Sequence, residues 1–563
     1  MRMLNILLIH PPFPYNKNMI NQSGINMSLG LAVLASYIRE KMKNVYIEIL
    51  DAHALDIPID KIVEKAISFP WDVIGLSYLT AQANNAYEIS KSIKNFRKDA
   101  VIVHGGVHPT CVYQEAVEYA DYVVVGEGEE TFLELLKNLR NKKKIRKIKG
   151  LAFKEDGKLV KTPEREFIKN LDEIPFPAFD LLPMQRYFTQ VGENIMHVVG
   201  GPRIPIMASR GCPYNCTYCV SPILWKRIVR WRSPENVVEE IEKWIKEYRV
   251  RNFHFWDDNL LLNAEWVKRF CELIISKKLS IRWTGLTRAS HINRDQKLLE
   301  LMAKSGCVGI EIGVESANPK VLLAVKKGET VSEVVKAAMN QKNAGMTPLC
   351  TLMAFNIGEN IDGYYLQNLF MNKYFNPERA QRLFIGQFAT TYPSTEFFLT
   401  APKYGKFLAK EWRDHHHAII NFVPNSLLND MPKKTNKRLT IPAILLTTFS
   451  AFSLMYDEFP KEISKIELIK RLLRHIKIMM LYYKLSNGKH TVLDISKKME
   501  KAFKISEVES IRITAFITLL LALMGMVKSS HSRIKVKRVD HSCLYYYFYH
   551  FLDKKIIYPI VHL

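Results

Sequence analysis

The chain has 563 residues, with 80 Lys and Arg against 56 Asp and Glu, a formal net charge of +24 at pH 7, 48% hydrophobic and 24% charged residues. This balance excludes a disordered or fibrous protein, and the length exceeds what one hydrophobic core organises, so about three domains are expected. Eight cysteines, three of them between positions 212 and 219, do not form the pattern of a secreted disulfide protein, which predicts a cytoplasmic location.

Residues 1–145 alternate short apolar runs with amphipathic stretches. The predicted strands are Asn5–Ile9, Val45–Leu50, Val73–Ser77, Ala100–His104 and Tyr122–Val125, and the predicted helices are Leu29–Lys41, Ile59–Ile67, Gln82–Phe96, Gln114–Tyr119 and Thr131–Asn141. Continuous Val, Ile and Leu runs are typical of parallel strands buried under crossover helices. The fold class is therefore α/β, with an N-terminal Rossmann-like doubly wound parallel sheet that binds a ligand beyond the C-terminal ends of its strands.

Residues 146–200 predict a linker with one hairpin around Asp156-Gly157. Strand and helix alternation resumes over residues 201–400. The predicted strands there are Ile206–Ser209, Phe253–Trp256, Ile281–Gly285, Val308–Val314, Thr347–Phe355 and Leu383–Thr390. Six such units predict a partial (β/α)6 barrel.

Residues 401–563 predict a mainly helical, basic C-terminal region, with 28 Lys and Arg against 13 Asp and Glu. The clearest predicted helices are Ile463–Lys484, Val492–Phe503 and Val508–Lys528. The apolar runs Ile441–Met455 and Ala515–Val527 are shorter than the roughly 20 residues that a membrane-spanning helix needs, so core burial is predicted. The basic, aromatic tail would also suit a membrane surface.

The strongest local signal is a C-x3-C-x2-C loop made by Cys212, Cys216 and Cys219, directly after a predicted strand. Iron–sulfur clusters usually have four thiolate ligands, so three closely spaced ones leave one iron open to an exogenous ligand. The alternatives are a zinc knuckle, which needs a fourth Cys or His at ligand spacing, and three unrelated buried thiols.

This loop, preceded by Arg210-Gly211 and followed by Arg232-Ser233-Pro234-Glu235, resembles that of radical S-adenosylmethionine (SAM) enzymes, over about residues 200–400. In that family a [4Fe–4S] cluster binds SAM, and reductive cleavage gives a 5′-deoxyadenosyl radical that abstracts hydrogen from the substrate. The resemblance implies that the three cysteines are the metal ligands, with no catalytic residue assigned beyond them. It also implies an electron donor such as ferredoxin or flavodoxin.

Further stretches match the family in order, at residues 255–259, 287–289 and 309–316. By resemblance, Tyr218 belongs to the cofactor site, Asp258 contacts the SAM amino group, Arg288 pairs with its carboxylate and Glu315 holds the ribose hydroxyls. The ordinary alternatives are a solvated turn for Asp258 and a helix N-terminal charge for Glu315. The chain departs from the family at residues 356–359, where a Gly-Pro-Gly turn is usual.

The N-terminal segment resembles the cobalamin-binding domains that are fused to this radical SAM branch. The resemblance rests on His10-Pro11-Pro12, Asp51-Ala52-His53 and the loops at residues 105–109 and 126–129. It implies that cobalamin is held by residues in two loops, which are Gly105, Gly106, His108, Gly126 and Gly128. Glycines there would let the backbone approach the corrin and its nucleotide tail closely. The chain lacks the D-x-H-x-x-G loop after the first strand, so His53 is not expected to ligate cobalt.

These resemblances predict a cobalamin-dependent radical SAM enzyme that functionalises a C–H bond by methylation or by C–C bond or ring formation. The predicted substrate is a large hydrophobic molecule, such as an isoprenoid lipid or a tetrapyrrole, reached in the cytoplasm or peripherally at the membrane. The alternatives are an RNA-modifying radical SAM enzyme, for which no familiar RNA-binding motif is present, and a non-catalytic cobalamin sensor.

Overall fold

The computed structural model describes residues 3–14, 27–189, 201–375, 388–415, 420–434, 476–523 and 527–530. Its N-terminal part is a seven-stranded sheet with the order β2-β1-β3-β4-β5-β6-β7. The strands are β1 (Leu4–His10), β2 (Val45–Asp51), β3 (Val73–Ser77), β4 (Val101–Gly105), β5 (Tyr122–Val124), β6 (Leu151–Glu155) and β7 (Lys158–Lys161). The first five are parallel, which confirms the predicted Rossmann-like sheet.

Helices cover both faces of this sheet. They are α1 (Leu29–Lys41), α2 (Ile59–Ile67), α3 (Ala83–Phe96) and α4 (Gly128–Asn138). Along β1, Ile6 and Leu8 pack in the core beneath α1 and α4, whereas Leu7 and Ile9 pack beneath α2 and α3. The predicted helix Gln114–Tyr119 is wrong in its bounds, because two single-turn helices, Val107–Cys111 and Tyr113–Ala116, stand there instead.

The hairpin predicted around Asp156-Gly157 is present as β6 and β7, and it adds antiparallel strands to the edge of the same sheet. Both turn residues have positive φ, 49° and 74°.

The second sheet has five parallel strands in the order β14-β13-β12-β11-β8. They are β8 (Arg203–Ile206), β11 (Asn252–Phe255), β12 (Arg282–Thr287), β13 (Cys307–Glu315) and β14 (Leu349–Leu352). A parallel bridge from Ala354 to Phe388 stands where the sixth strand is expected. Most of the predicted strand Leu383–Thr390 lies outside the described ranges. The helices of this partial barrel are α5 (Pro234–Tyr248), α6 (Ala264–Ser276), α7 (Gln296–Lys304), α8 (Val331–Asn343) and α9 (Ile361–Tyr374).

The prediction that the first barrel strand runs from Ile206 to Ser209 is wrong. The strand ends at Ile206, and the chain forms a separate short ladder between β9 (Ser209–Arg210) and β10 (Arg230–Trp231). Asp257 explains the change, because it accepts hydrogen bonds from the Ala208 N–H at 3.1 Å and the Ser209 hydroxyl at 2.5 Å. These contacts draw the chain out of the sheet.

The described C-terminal region is mainly helical. It contains α10 (Glu396–Tyr404), β15 (Gly405–Phe407), β16 (Phe422–Pro424), β17 (Pro432–Lys434), α11 (Val492–Phe503), α12 (Glu507–Leu523) and β18 (Val527–Ser529). Helix α11 has the predicted bounds, but the predicted helix Val508–Lys528 is wrong at its end, because β18 pairs with β17. The apolar run Ile441–Met455 and most of Ile463–Lys484 lie outside the described residues.

The part of the second apolar run from Ala515 to Ala522, on α12, is buried in the core, and residues 524–526 of the run lie outside the described ranges. Among the helices of the described ranges, none has both the length and the apolar character that a membrane crossing requires.

Candidate cofactor sites at the domain boundary

The cysteine loop leaves β9 through Gly211, whose φ is +104°. A Cβ atom on this residue would lie 2.1 Å from the carbonyl oxygen of Ile228, so the position excludes every other residue. Cys212, Cys216 and Cys219 follow as free, partly exposed thiols, and the Ser221 N–H donates to the Cys219 sulfur at 3.4 Å. The local fold therefore places three partly buried thiols on one short loop.

The thiols perturb one another electrostatically. Burial, with the charge of Asp258 and the neighbouring Cys216, raises the pKa of Cys212. Burial and the same neighbours raise the pKa of Cys219 to about 12. Thiolates at this place need a strong compensating positive charge, which a bound iron–sulfur cluster would supply.

A single metal ion fits the loop less well than a cluster. In the described part of the chain, no three His, Cys, Asp or Glu side chains converge on one ion. A cluster spreads its irons over several positions, so its ligands need not converge on a point. The donor set of three thiols on one loop fits a [4Fe–4S] cluster.

The four residues predicted to bind SAM lie around this loop. Asp258 accepts a hydrogen bond from the Ser221 hydroxyl at 2.8 Å, and the Tyr218 hydroxyl donates to Glu315 Oε1 at 2.7 Å. Arg288 Nη1 lies 3.8 Å from the Cys216 sulfur, and its guanidinium stacks 3.8 Å above the Tyr214 ring. The structure therefore brings the predicted residues together.

Two further residues of this site were not predicted from the sequence. Lys327 is buried and donates to Glu315 Oε1 at 2.9 Å, and its carbonyl accepts a hydrogen bond from Arg288. Glu329 lies 3.6 Å from Arg288 Nε and accepts from the Ser290 N–H. Glu315 itself has φ +65°, an unusual backbone conformation for a residue with a side chain, as is common at functional sites.

A cavity of about 360 Å³ lies at the C-terminal ends of the N-terminal strands, where doubly wound sheets bind ligands. The predicted glycines Gly105, Gly106, Gly126 and Gly128 all line it. Gly106 has φ +97°, and a Cβ there would meet the Ser77 hydroxyl oxygen at 2.7 Å. The barrel closes the far side with Met207, Arg210, Trp225 and Arg232.

This cavity fits part of a large cofactor. Its volume lies in the range of ligand pockets, and its lining is mostly apolar, with Leu8 on β1, Leu34 on α1 and Phe132 on α4 among its walls. Glycines at the mouth leave backbone open to a phosphate-bearing group.

The structure does not bring His108 to the cavity. Its Nε2 pairs with the Tyr87 hydroxyl and its Nδ1 with the Thr80 hydroxyl, both at 3.2 Å, and its ring packs against Trp412. Burial lowers the pKa of His108 to about 3. The residue is therefore a neutral histidine of the protein core, not a wall of the cofactor cavity.

A buried ion network joins the two loops that would hold the cofactors. Arg210, beside the cysteine loop, contacts both Glu127 and Glu129 at 2.6 Å. Arg230 contacts Glu127 at 2.9 Å, and its guanidinium lies 4.5 Å from the Phe167 ring. The glycine loop at residues 126–128 and the cysteine loop are thus held in one arrangement.

Comparison with known proteins agrees with two cofactor sites on this chain, one in the N-terminal sheet domain and one in the barrel. The model of the Radical SAM superfamily matches residues 206–364, and that of the B12 binding domain matches residues 18–136. The chain is 34% identical to an uncharacterized methyltransferase of Pyrococcus horikoshii, over 62% of this chain and 73% of that protein. It is 29% identical to the anaerobic magnesium-protoporphyrin IX monomethyl ester cyclase of Rubrivivax gelatinosus, over 67% of each.

The fold also resembles a solved structure, that of the cobalamin-dependent SAM radical enzyme OxsB with aqua-cobalamin and SAM bound. The TM-score is 0.63 at 17% sequence identity, over 99% of this chain and 85% of the other. At this identity the similarity describes the fold.

Proposed function

Since this chain belongs to the radical SAM enzymes that carry a cobalamin-binding domain, we propose that it functionalises a C–H bond of a large apolar molecule. A [4Fe–4S] cluster, SAM and cobalamin are its cofactors. The observation that carries the proposal is the Arg210 network, because it fixes the cysteine loop beside the glycine-lined cavity. Two cofactors held this way can act on one substrate between them.

The bound cofactors would supply the radical and carrier chemistry. The protein residues hold and orient SAM. Glu315 Oε2 makes no hydrogen bond within the described part of the chain, so it is available to a ribose hydroxyl, while Tyr218 and Lys327 fix the other oxygen. Arg288, held over Tyr214, offers a positive charge to the SAM carboxylate. Cys212, Cys216 and Cys219 hold the cluster.

An apolar substrate suits the interior of the barrel. Met207, Trp256 and Leu286 are partly exposed at the ends of successive barrel strands, and Met207 also lines the cofactor cavity. The Rubrivivax gelatinosus relative is named for a porphyrin, which is a large and mostly apolar ring system. We propose a tetrapyrrole or isoprenoid-like substrate, and an electron donor such as ferredoxin or flavodoxin.

The test is cleavage of SAM by anaerobically reconstituted protein with dithionite, followed by mass spectrometry. Wild type is expected to make 5′-deoxyadenosine, and the Cys212→Ala/Cys216→Ala/Cys219→Ala variant none. Cys271→Ala, which removes a buried thiol from the same barrel, should retain cleavage. S-adenosylhomocysteine alongside would favour methylation over ring closure. Cobalamin binding without any SAM cleavage would favour the sensor.

A further inference from the structure

Glu311 is a carboxylate inside the barrel that the proposed chemistry does not use. On β13, Ile310, Ile312 and Val314 pack in the core with the surrounding helices. Side chains alternate along a strand, so Glu311 points to the barrel interior, on the same face as Glu315. Its residue is 9% exposed.

The neighbours of Glu311 offer it no partner. Its sheet neighbours are Leu286 on β12 and Leu349 on β14. The residues two positions before and after it, Gly309 and Gly313, have no side chains. The nearby Lys327 is committed to Glu315. Across the described part of the chain, the Glu311 carboxyl group makes no hydrogen bond and no ion pair.

Such a group is costly to keep. A carboxyl group buried to this degree without a partner loses most of its hydration, and no protein group compensates for the loss. Burial, with the charge of Glu315, raises the pKa of Glu311 to about 7. Leucine occupies both flanking positions and would fill the same place at lower cost. Native structures retain few unpaired buried polar groups, and those near a ligand site are candidates for ligand contact.

We propose that Glu311 receives an N–H or O–H group of a molecule held inside the barrel, and that the substrate is therefore an apolar molecule with one amine or hydroxyl group. This inference rests on the proposed function, since it concerns the same interior. Two molecules could bring such a donor: the substrate, which we favour because the walls beside Glu311 are leucines, and SAM.

The test measures binding to the reconstituted protein with cluster, cobalamin and SAM, by equilibrium dialysis at pH 8.5, where Glu311, whose pKa burial raises to about 7, is mostly ionised. The probes are 1-hexanamine, 1-hexanol and 1-methoxyhexane, which share an apolar chain and differ in donor capacity. Wild type should bind the amine and the alcohol about tenfold or more tightly than the ether, as expected for a hydrogen bond to a charged group. SAM affinity is measured on the same samples.

Three variants separate the causes. Glu311→Leu should abolish the preference for donors and leave the affinity for SAM unchanged. Glu311→Gln, which keeps the size, should lose the preference for the amine more than that for the alcohol. Glu300→Leu, which removes an exposed carboxylate on α7, should behave as wild type.

A tenfold loss of SAM affinity in Glu311→Leu, with the probe preference unchanged, would assign the donor to SAM and overturn the inference about the substrate. Equal binding of all three probes to wild type and Glu311→Leu would also overturn it. If wild type cleaves no SAM but still shows a preference that depends on Glu311, the proposed function fails and the ligand site stands.

Discussion

Replacing Arg210 by methionine is predicted to destabilise the chain at neutral pH by about 3–5 kcal/mol, the usual cost of removing one partner from a buried ion pair. Arg210 contacts Glu127 and Glu129, whose side chains are at most 8% exposed. Glu127 would keep Arg230, whereas Glu129 would lose its ion-pair partner. The loss is therefore expected to come mainly from Glu129.

The stability deficit of Arg210→Met should depend on pH, because Glu129 titrates differently in the two proteins. Burial pushes the pKa of Glu129 upward, but the charge of Arg210 outweighs it and the pKa is lowered. In wild type, Glu129 thus stabilises the fold above its ordinary pKa, and this contribution is lost as pH falls through the lowered value. In Arg210→Met burial prevails and the pKa rises. The deficit of the variant should therefore be larger at pH 7 than at pH 5.

The assay is urea unfolding followed by tryptophan fluorescence at both pH values, with Arg165→Met as the matched control. Arg165 also contacts two carboxylates, Glu130 at 3.1 Å and Glu134 at 2.7 Å, but these are nearly half exposed. Exposed pairs contribute about 1 kcal/mol or less, so the control should lose little. Equal losses in the two variants, or a deficit independent of pH, would show that Arg210 does not stabilise the fold by pairing with a buried, ionised Glu129.

Substitutions at Gly211, Leu34 and Asp257 test the cysteine loop, the cavity and the end of the first barrel strand. Gly211→Ala should abolish incorporation of the cluster, measured as iron per chain, because the alanine Cβ would lie 2.1 Å from the Ile228 carbonyl oxygen. The control is Gly157→Ala in an open hairpin turn, which should keep its full iron content. Leu34→Trp should fill the cavity and weaken cobalamin binding at least tenfold while iron content is retained. The control is Leu159→Trp on exposed β7, which should bind cobalamin as wild type does. Unchanged cobalamin affinity in Leu34→Trp would place the cofactor elsewhere. Burial raises the pKa of Asp257 to about 6, so wild type should gain stability relative to Asp257→Asn as pH falls from 7 to 5. Urea unfolding midpoints measure this difference in stability. A difference that stays constant over this pH range would show that Asp257 does not have a raised pKa.

Local pattern was sufficient for the N-terminal sheet, because each strand is a short apolar run between turn residues. The helices 29–41 and 59–67 and the strand 73–77 have the predicted bounds. The predicted end of the first barrel strand is wrong because Asp257, about 50 residues later, accepts a hydrogen bond from the Ala208 N–H. A distant hydrogen-bond acceptor leaves no trace in the periodicity of the strand that it ends.

The site shows the same division. The cysteines and the cavity glycines belong to short motifs that local sequence reveals. By resemblance His108 belongs to the cofactor loop at residues 105–109, whereas in the folded chain its ring packs against Trp412, about 300 residues away, a contact that local sequence does not reveal. Arg210 and Glu127 each stand in a predicted motif, but their contact across the domain boundary requires the folded chain. No sequence feature distinguishes Glu311 from other polar residues on strands. Only the sheet register shows that it lies between Leu286 and Leu349.

If one chain holds a cluster on the cysteine loop and cobalamin in the neighbouring cavity, the two cofactors interact magnetically. Electron paramagnetic resonance of the reduced, fully loaded protein tests it, because a paramagnetic cluster and a paramagnetic cobalt centre that lie close together broaden or split each other's signals. We expect such coupling in wild type, an uncoupled cobalamin signal in the triple cysteine variant and an uncoupled cluster signal in Leu34→Trp. Two independent signals that simply add in wild type would show that the two cofactors do not occupy neighbouring sites.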